Sequence, residues 1–229
     1  MNIYSLTCTR DESLSKTTSN LLEYFNRCNI KSKILTGKDS IFEAYDKGID
    51  SIGANFDDII ILCHDDIEIL TDPKVFIHFL KEKLTKSDTG FVGIAGTKHL
   101  TRSAMWWDRE TWQAGLHSGF VFHGDSLDDI HGTFFGPLGD TVVLDGVFLA
   151  ATKKTLRSIQ LKQPRSFEGK WDFYDIFYTF QAFHKKLKNY TVPIQIRHES
   201  IGDLAGRESW HKNKEAFITL FDKHLPATL

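Results

Sequence analysis

A chain of 229 residues, 41% hydrophobic and 25% charged, is long enough for one sizeable core and ordinary in composition for a soluble globular protein. Its 28 basic and 30 acidic residues give a formal charge of −2, which excludes the global basic field of a nucleic-acid binder. Three scattered cysteines (Cys8, Cys28, Cys63) lack metal-ligand spacing and point to a reducing, cytoplasmic setting, and no segment approaches the roughly 18 to 20 apolar residues that cross a bilayer.

Asn2–Thr7 reads as a first strand, and its polar sequel gives no sign of a secretory leader. Ser13–Cys28 carries Leu14, Leu21, Leu22 and Phe25 at helical spacing. Lys33–Thr36 is a short second strand and Ser40–Ile52 a second helix with Ile41, Ala44, Tyr45 and Ile49. Ile59–Cys63 is a β-branched run expected as a strand buried on both faces. Asp72 and Pro73 then open a helix through Leu84, as N-cap and first helical residue. Phe91–Gly96 is a further strand. Alternation of strand and helix over the first hundred residues predicts βαβ units and an α/β fold with a mainly parallel sheet flanked by helices.

Lys98–Leu138 is rich in Trp, His, Gly and Asp, with one short strand at Gly119–His123. Regular structure resumes at Thr141–Ala151, Lys153–Ile159 reads as a short helix and Phe173–Leu187 as a helix with Ile176, Phe177, Phe180, Phe183 and Leu187 on one stripe. Val192–Arg197 is a late strand and Glu208–His224 a final helix. With no repeat or linker, the expectation is one domain over 1–229, in which the half 98–229 elaborates a nucleotide-binding half 1–97.

Chemistry concentrates at a few places. His64, Asp65 and Asp66 follow a buried strand, where ionisable groups sit past its carboxyl end and ligands bind open sheets. Adjacent carboxylates repel unless a cation or proton lies between them, although a polar turn is the plainer alternative. Asp145 and Gly146 interrupt an apolar stretch, as a ligand contact or an edge bulge. In the segment Trp171–Asp175, Asp172 reads as a helix cap and Asp175 as a general base facing away from the Phe stripe. His198, Glu199 and Gly202 repeat the arrangement at His64 after a second strand, and imidazole with carboxylate suits a manganese-like ion. Trp106 and Trp107 are either a stacking wall for a sugar or base, or core aromatics.

Together these segments resemble the GT-A type glycosyltransferases, specifically the family-2-like group with the StrF-type glycosyltransferase-like domain. The resemblance is carried by EAYDKGI at Glu43–Ile49, ILCHDDI at Ile61–Ile67, LDGVFLA at Leu144–Ala150, FEGKWDFYDI at Phe167–Ile176 and IRHESIG at Ile196–Gly202. The acidic pair is adjacent here, where the family spaces it as Asp-x-Asp. The resemblance implies a Rossmann-like GT-A fold that moves a sugar from a nucleotide-diphosphate donor, a UDP-sugar first among them, to an acceptor hydroxyl. It implies a Mn²⁺ or Mg²⁺ ion on Asp66 and His198, and an inverting base at Asp175. Asp65 is directed at ribose or metal, and Asp145 with Gly146 at the donor sugar or acceptor. Tyr45 and Asp46 lie against the nucleotide, with Thr7, Arg10 and Asp39 at its border. Two other classes stay open: a catalytically inactive nucleotide- or sugar-binding protein of the same fold, and a metal-dependent nucleotidyl transferase or phosphoesterase.

Overall fold

The computed structural model describes residues 1–125, 127–200 and 207–229; Ile201 and Gly202 of the IRHESIG segment lie outside them. Three strands, β1 (Ile3–Cys8), β2 (Lys31–Leu35) and β3 (Ile59–Cys63), are linked by helices α1 (Lys16–Arg27) and α2 (Ile41–Ser51). β1 pairs in parallel with both β2 and β3. The two crossovers run in opposite directions across the sheet, and their right-handedness puts α1 and α2 on opposite faces. Each helix starts at a hydroxyl: Ser15 Oγ accepts from Thr18 N at 3.0 Å and Ser40 Oγ from Glu43 N at 3.4 Å. β3 is buried along its whole length, as its apolar run requires.

β4 (Ile67–Ile69) leads to α3 (Pro73–Leu84), where Asp72 Oδ1 accepts from Lys74 N at 2.9 Å and Pro73 begins the helix. The expected strand Phe91–Gly96 is two strands, β5 (Thr89–Gly93) and β6 (Ala95–Thr97), which part into different sheets at Ile94. The segment 98–138 is more regular than its composition suggested. It holds β7 (His99–Leu100), α4 (Arg109–Gln113), β8 (His117–His123) and β9 (His131–Gly136). β10 (Asp140–Thr141), β11 (Val143–Leu144), β12 (Phe148–Thr152) and α5 (Lys153–Ser158) follow. The chain closes with α6 (Tyr174–His184), β13 (Lys188–Thr191), β14 (Ile196–His198), α7 (Glu208–Phe221) and β15 (Ala227–Thr228).

Seven strands form the main sheet in the order β10-β13-β5-β12-β3-β1-β2. The α/β class is as expected, but the sheet is mixed. β12 runs antiparallel to both neighbours, β3 and β5. A second sheet, β11-β6-β8-β14-β4 with β9 on β8, stands at its carboxyl edge. The close approach of β6 and β8 requires Gly119, which has φ +111° and whose added Cβ would lie 2.0 Å from Ile94 O. Aromatic side chains tie helices to sheet: Phe76 of α3 meets Phe25 at 6.5 Å and Phe148 at 5.8 Å. Phe42 of α2 meets Tyr178 of α6 at 5.8 Å. Among the described residues no helix is long and apolar enough to cross a membrane.

Three late expectations need correction. Val192–Arg197 is not one strand: Pro193, without an N–H, separates β13 from β14. The helix expected from Phe173 begins at Tyr174, because Phe173 takes a left-handed φ of 70° that no helix interior accommodates. Its ring is buried against Trp210 and Phe217, both at 5.4 Å, which holds the conformation in place. Asp172 is no cap either. Its buried carboxylate accepts from Ser209 Oγ at 2.7 Å and pairs with Arg207 at 3.4 Å, anchoring the start of α7.

Candidate functional site

The site grows from the carboxyl end of β3. His64 leaves the strand with its N–H bonded to Val147 O at 3.1 Å, and three residues later, at Ile67, the chain enters β4. β4 pairs antiparallel with β14 so that Ile67 faces His198, and Glu199 N donates to Asp66 O at 3.0 Å. This register brings together side chains 134 positions apart in sequence. His64 Nδ1 lies 3.4 Å from His198 Nε2, and Asp66 Oδ1 lies 3.2 Å from His198 Nε2 and 3.7 Å from His64 Nδ1.

Burial opposes the charge on Asp66, but His198, His64 and Ser200 outweigh it and hold the carboxyl well below its usual range. Burial first, and then His198, pull His64 down, so its imidazole is neutral at pH 7. Asp66 Oδ1 is a buried oxygen with no well-formed hydrogen bond from any described residue. Two imidazole nitrogens and this oxygen, all within 4.8 Å of one another, are a mixed nitrogen and oxygen donor set that could hold a divalent metal ion.

Beside this cluster the chain passes from β11 to β12 through Asp145, Gly146 and Val147. Asp145 is held by Trp106 Nε1 at 3.1 Å and Val147 N at 2.9 Å. Gly146 N donates to Asp175 Oδ2 at 2.9 Å, and Gly146 O accepts from the Tyr174 hydroxyl at 2.9 Å. An added Cβ on Gly146 would lie 2.5 Å from that hydroxyl and 2.9 Å from Asp175 Cβ, so only glycine lets the turn seat on the start of α6. Asp175 is partly buried. Desolvation and then the Asp145 charge raise its carboxyl to about 7, against the lowering effect of backbone N–H groups.

Among the other residues singled out, Arg10 and Asp39 meet through Trp171. The Arg10 guanidinium stacks on the indole at 4.5 Å, and Trp171 Nε1 donates to Asp39 O at 3.0 Å. Thr7 is fully buried between β1 and β3, 3.3 Å from Cys63 Sγ. The charge of Asp65 adds to the burial that lifts the thiol of Cys8, at the end of β1, to about 12. Tyr45 is enclosed, with its ring 5.8 Å from Tyr174, and its hydroxyl faces Cys63 O rather than the cluster. Asp46 pairs with Arg157 at 3.2 Å, on the side of α5. Trp106 is only 4% exposed and offers its N–H to Asp145, so it is a core aromatic with a polar handle and no stacking wall.

Sequence reasoning placed His64 in the group around the cation without assigning it as a ligand, and did not single out Trp171 or Tyr174 as parts of the site. The signal for His64 was present in its place directly after a buried strand. For Trp171 and Tyr174 the signal is spatial.

A mixed sheet with the His64–Asp66 turn at the carboxyl end of β3, faced by a second small sheet, is a fold of the GT-A type. The profile of the glycosyltransferase-like family matches residues 5–220, and the chain belongs to that family. Among solved structures, GalNAc-T7, crystallised with UDP, GalNAc and Mn²⁺, is similar over 96% of this chain at 9% identity and a TM-score of 0.59. This chain spans 48% of that one. A197 from STIV is similar over 87% of this chain and 86% of its own, at 11% identity and a TM-score of 0.51. No curated protein matches the chain in sequence.

Proposed function

We propose that this protein transfers a sugar from a nucleotide-diphosphate donor, a UDP-sugar, to an acceptor hydroxyl with inversion at the anomeric carbon. The observation that carries the reading is the meeting of His64, Asp66 and His198 at the sheet edge, next to the turn that seats Asp175. His64, Asp66 and His198 would hold Mn²⁺ or Mg²⁺, whose charge neutralises the departing diphosphate. Asp175 is the base. A carboxyl raised to about 7 is half ionised near neutral pH and strong enough to take the acceptor proton as the hydroxyl attacks. The new bond forms from the acceptor oxygen to the anomeric carbon while the bond to the diphosphate oxygen breaks on the opposite face.

Arg10, Trp171 and Asp39 border the nucleotide, with the indole as a stacking surface and Asp65 directed at the ribose. Asp145 and Gly146 face the donor sugar. Thr7, Tyr45 and Asp46 serve the pocket indirectly, since two are enclosed and the third is paired with Arg157. The proposal also divides the chain into a nucleotide half, 1–97, which brings His64 and Asp66 to the metal, and an acceptor and metal half, 98–229, which brings His198.

Incubation with a panel of nucleotide-sugars, Mn²⁺ and candidate acceptors tests the reading. Release of nucleoside diphosphate with a new glycoside supports it. Release of pyrophosphate or inorganic phosphate would instead mark phosphoryl chemistry. Metal-dependent nucleotide binding without turnover would mark a binding protein.

A further inference from the structure

Tyr174 is 4% exposed, in the first turn of α6, and its hydroxyl stands between two partners. It donates its single proton to Gly146 O at 2.9 Å. His64 Nε2 lies 3.1 Å from the same oxygen. With its proton committed to the carbonyl, the hydroxyl can only accept from the imidazole, so Nε2 carries the His64 proton. The other nitrogen, Nδ1, is then bare, and it is the one 3.4 Å from His198 Nε2 and 3.7 Å from Asp66 Oδ1.

Resting on the metal reading above, we infer that Tyr174 is a positioning residue: its hydroxyl fixes which nitrogen of His64 is protonated and turns the unprotonated Nδ1 toward Asp66 and His198. The second hydrogen bond of a histidine ligand sets its tautomer and ring orientation in this way. The ring of Tyr174 is itself braced. Tyr45, Phe42 and Tyr178 surround it at centroid distances of 5.8, 6.4 and 5.9 Å. The Gly146 peptide extends the same arrangement to the base, because its carbonyl holds Tyr174 while its N–H holds Asp175. One turn thereby sets the distance between the ligand cluster and the carboxylate.

Long-range ¹H–¹⁵N correlation spectra of the metal-free full chain at pH 7.5 report the His64 tautomer directly, and titration with Mn²⁺ alone reports affinity. The wild type is expected to show a protonated Nε2 and a bare Nδ1. Tyr174→Phe keeps the ring and its packing, loses that preference, and binds Mn²⁺ about 10- to 100-fold more weakly. Gly146→Ala, whose Cβ must displace the hydroxyl, shifts the tautomer in the same direction without touching Tyr174 chemically. A wild-type spectrum with the proton on Nδ1, or an unchanged His64 in both variants, overturns the inference. A wild type with the expected tautomer that binds no Mn²⁺ or Mg²⁺ removes the metal reading and upholds the positioning role.

Discussion

Ile67 stands opposite His198 in the β4–β14 ladder, and that pairing sets the Asp66 carboxylate 3.2 Å from His198 Nε2. A shift of one residue in this register would turn either side chain to the opposite face of the strand pair. The cluster is therefore a product of backbone pairing, with His198 ending β14 and with His64 and Asp66 in the three-residue connection between β3 and β4.

Asp66→Ala removes the one carboxylate of the cluster. Saturating Mn²⁺ with UDP, at about 100 times the dissociation constant, should stabilise the wild type by about 2.7 kcal/mol. Differential scanning calorimetry with and without the ligands is expected to show that gain in wild type and none in Asp66→Ala.

Asp175 gives a signed pH dependence. Its carboxyl is raised to about 7 in the folded protein, whereas an unfolded Asp titrates near 4. Below about pH 4 both states hold the proton. As pH rises from there toward 7, the unfolded state ionises first and folding loses stability; above 7 the loss is complete. Asp175→Asn escapes it. Its melting temperature should match the wild type near pH 4 and exceed it at pH 8, by a stability difference on the order of 1–4 kcal/mol. The same variant should bind UDP and lose turnover.

Asp145 is the charge that, after burial, holds Asp175 high. Asp145→Asn should move the acidic limb of the rate profile to lower pH, read from kcat between pH 5 and 8. An unmoved limb would separate Asp145 from the base.

Asp172 serves α7 and no ligand. Asp172→Ala leaves Ser209 and Arg207 without their buried acceptor and is expected to cost about 1–3 kcal/mol in urea unfolding. Mn²⁺ affinity should stay at the wild-type value.

The parts of the fold that sequence conveys are those where local chemistry and burial agree. Ile59–Cys63 is bounded as a strand because an apolar β-branched run has nowhere else to go, and α3 starts at Asp72 and Pro73 because both residues favour that one place. β13 was hidden for the opposite reason. Asn189 is fully buried there, with its amide donating to Val142 O at 3.0 Å and Thr179 O at 2.9 Å and accepting from Phe91 N at 3.0 Å, so a polar residue occupies a core position. The second sheet escaped notice because β6, β11 and β14 are two or three residues long, too short for alternation to register. At the site, Asp66 and His198 could be named from their places after apolar strands, and the structure puts them together. His64 and Tyr174 belong to the same unit through hydrogen bonds across 110 positions, a relation that no local pattern encodes.

The most direct test is calorimetric titration of UDP into the protein in Mn²⁺ and, separately, in EDTA. Binding that is strong with Mn²⁺, collapses in EDTA and is lost in Asp66→Ala is the predicted result. Equal UDP affinity in Mn²⁺ and EDTA would contradict a cation held by His64, Asp66 and His198.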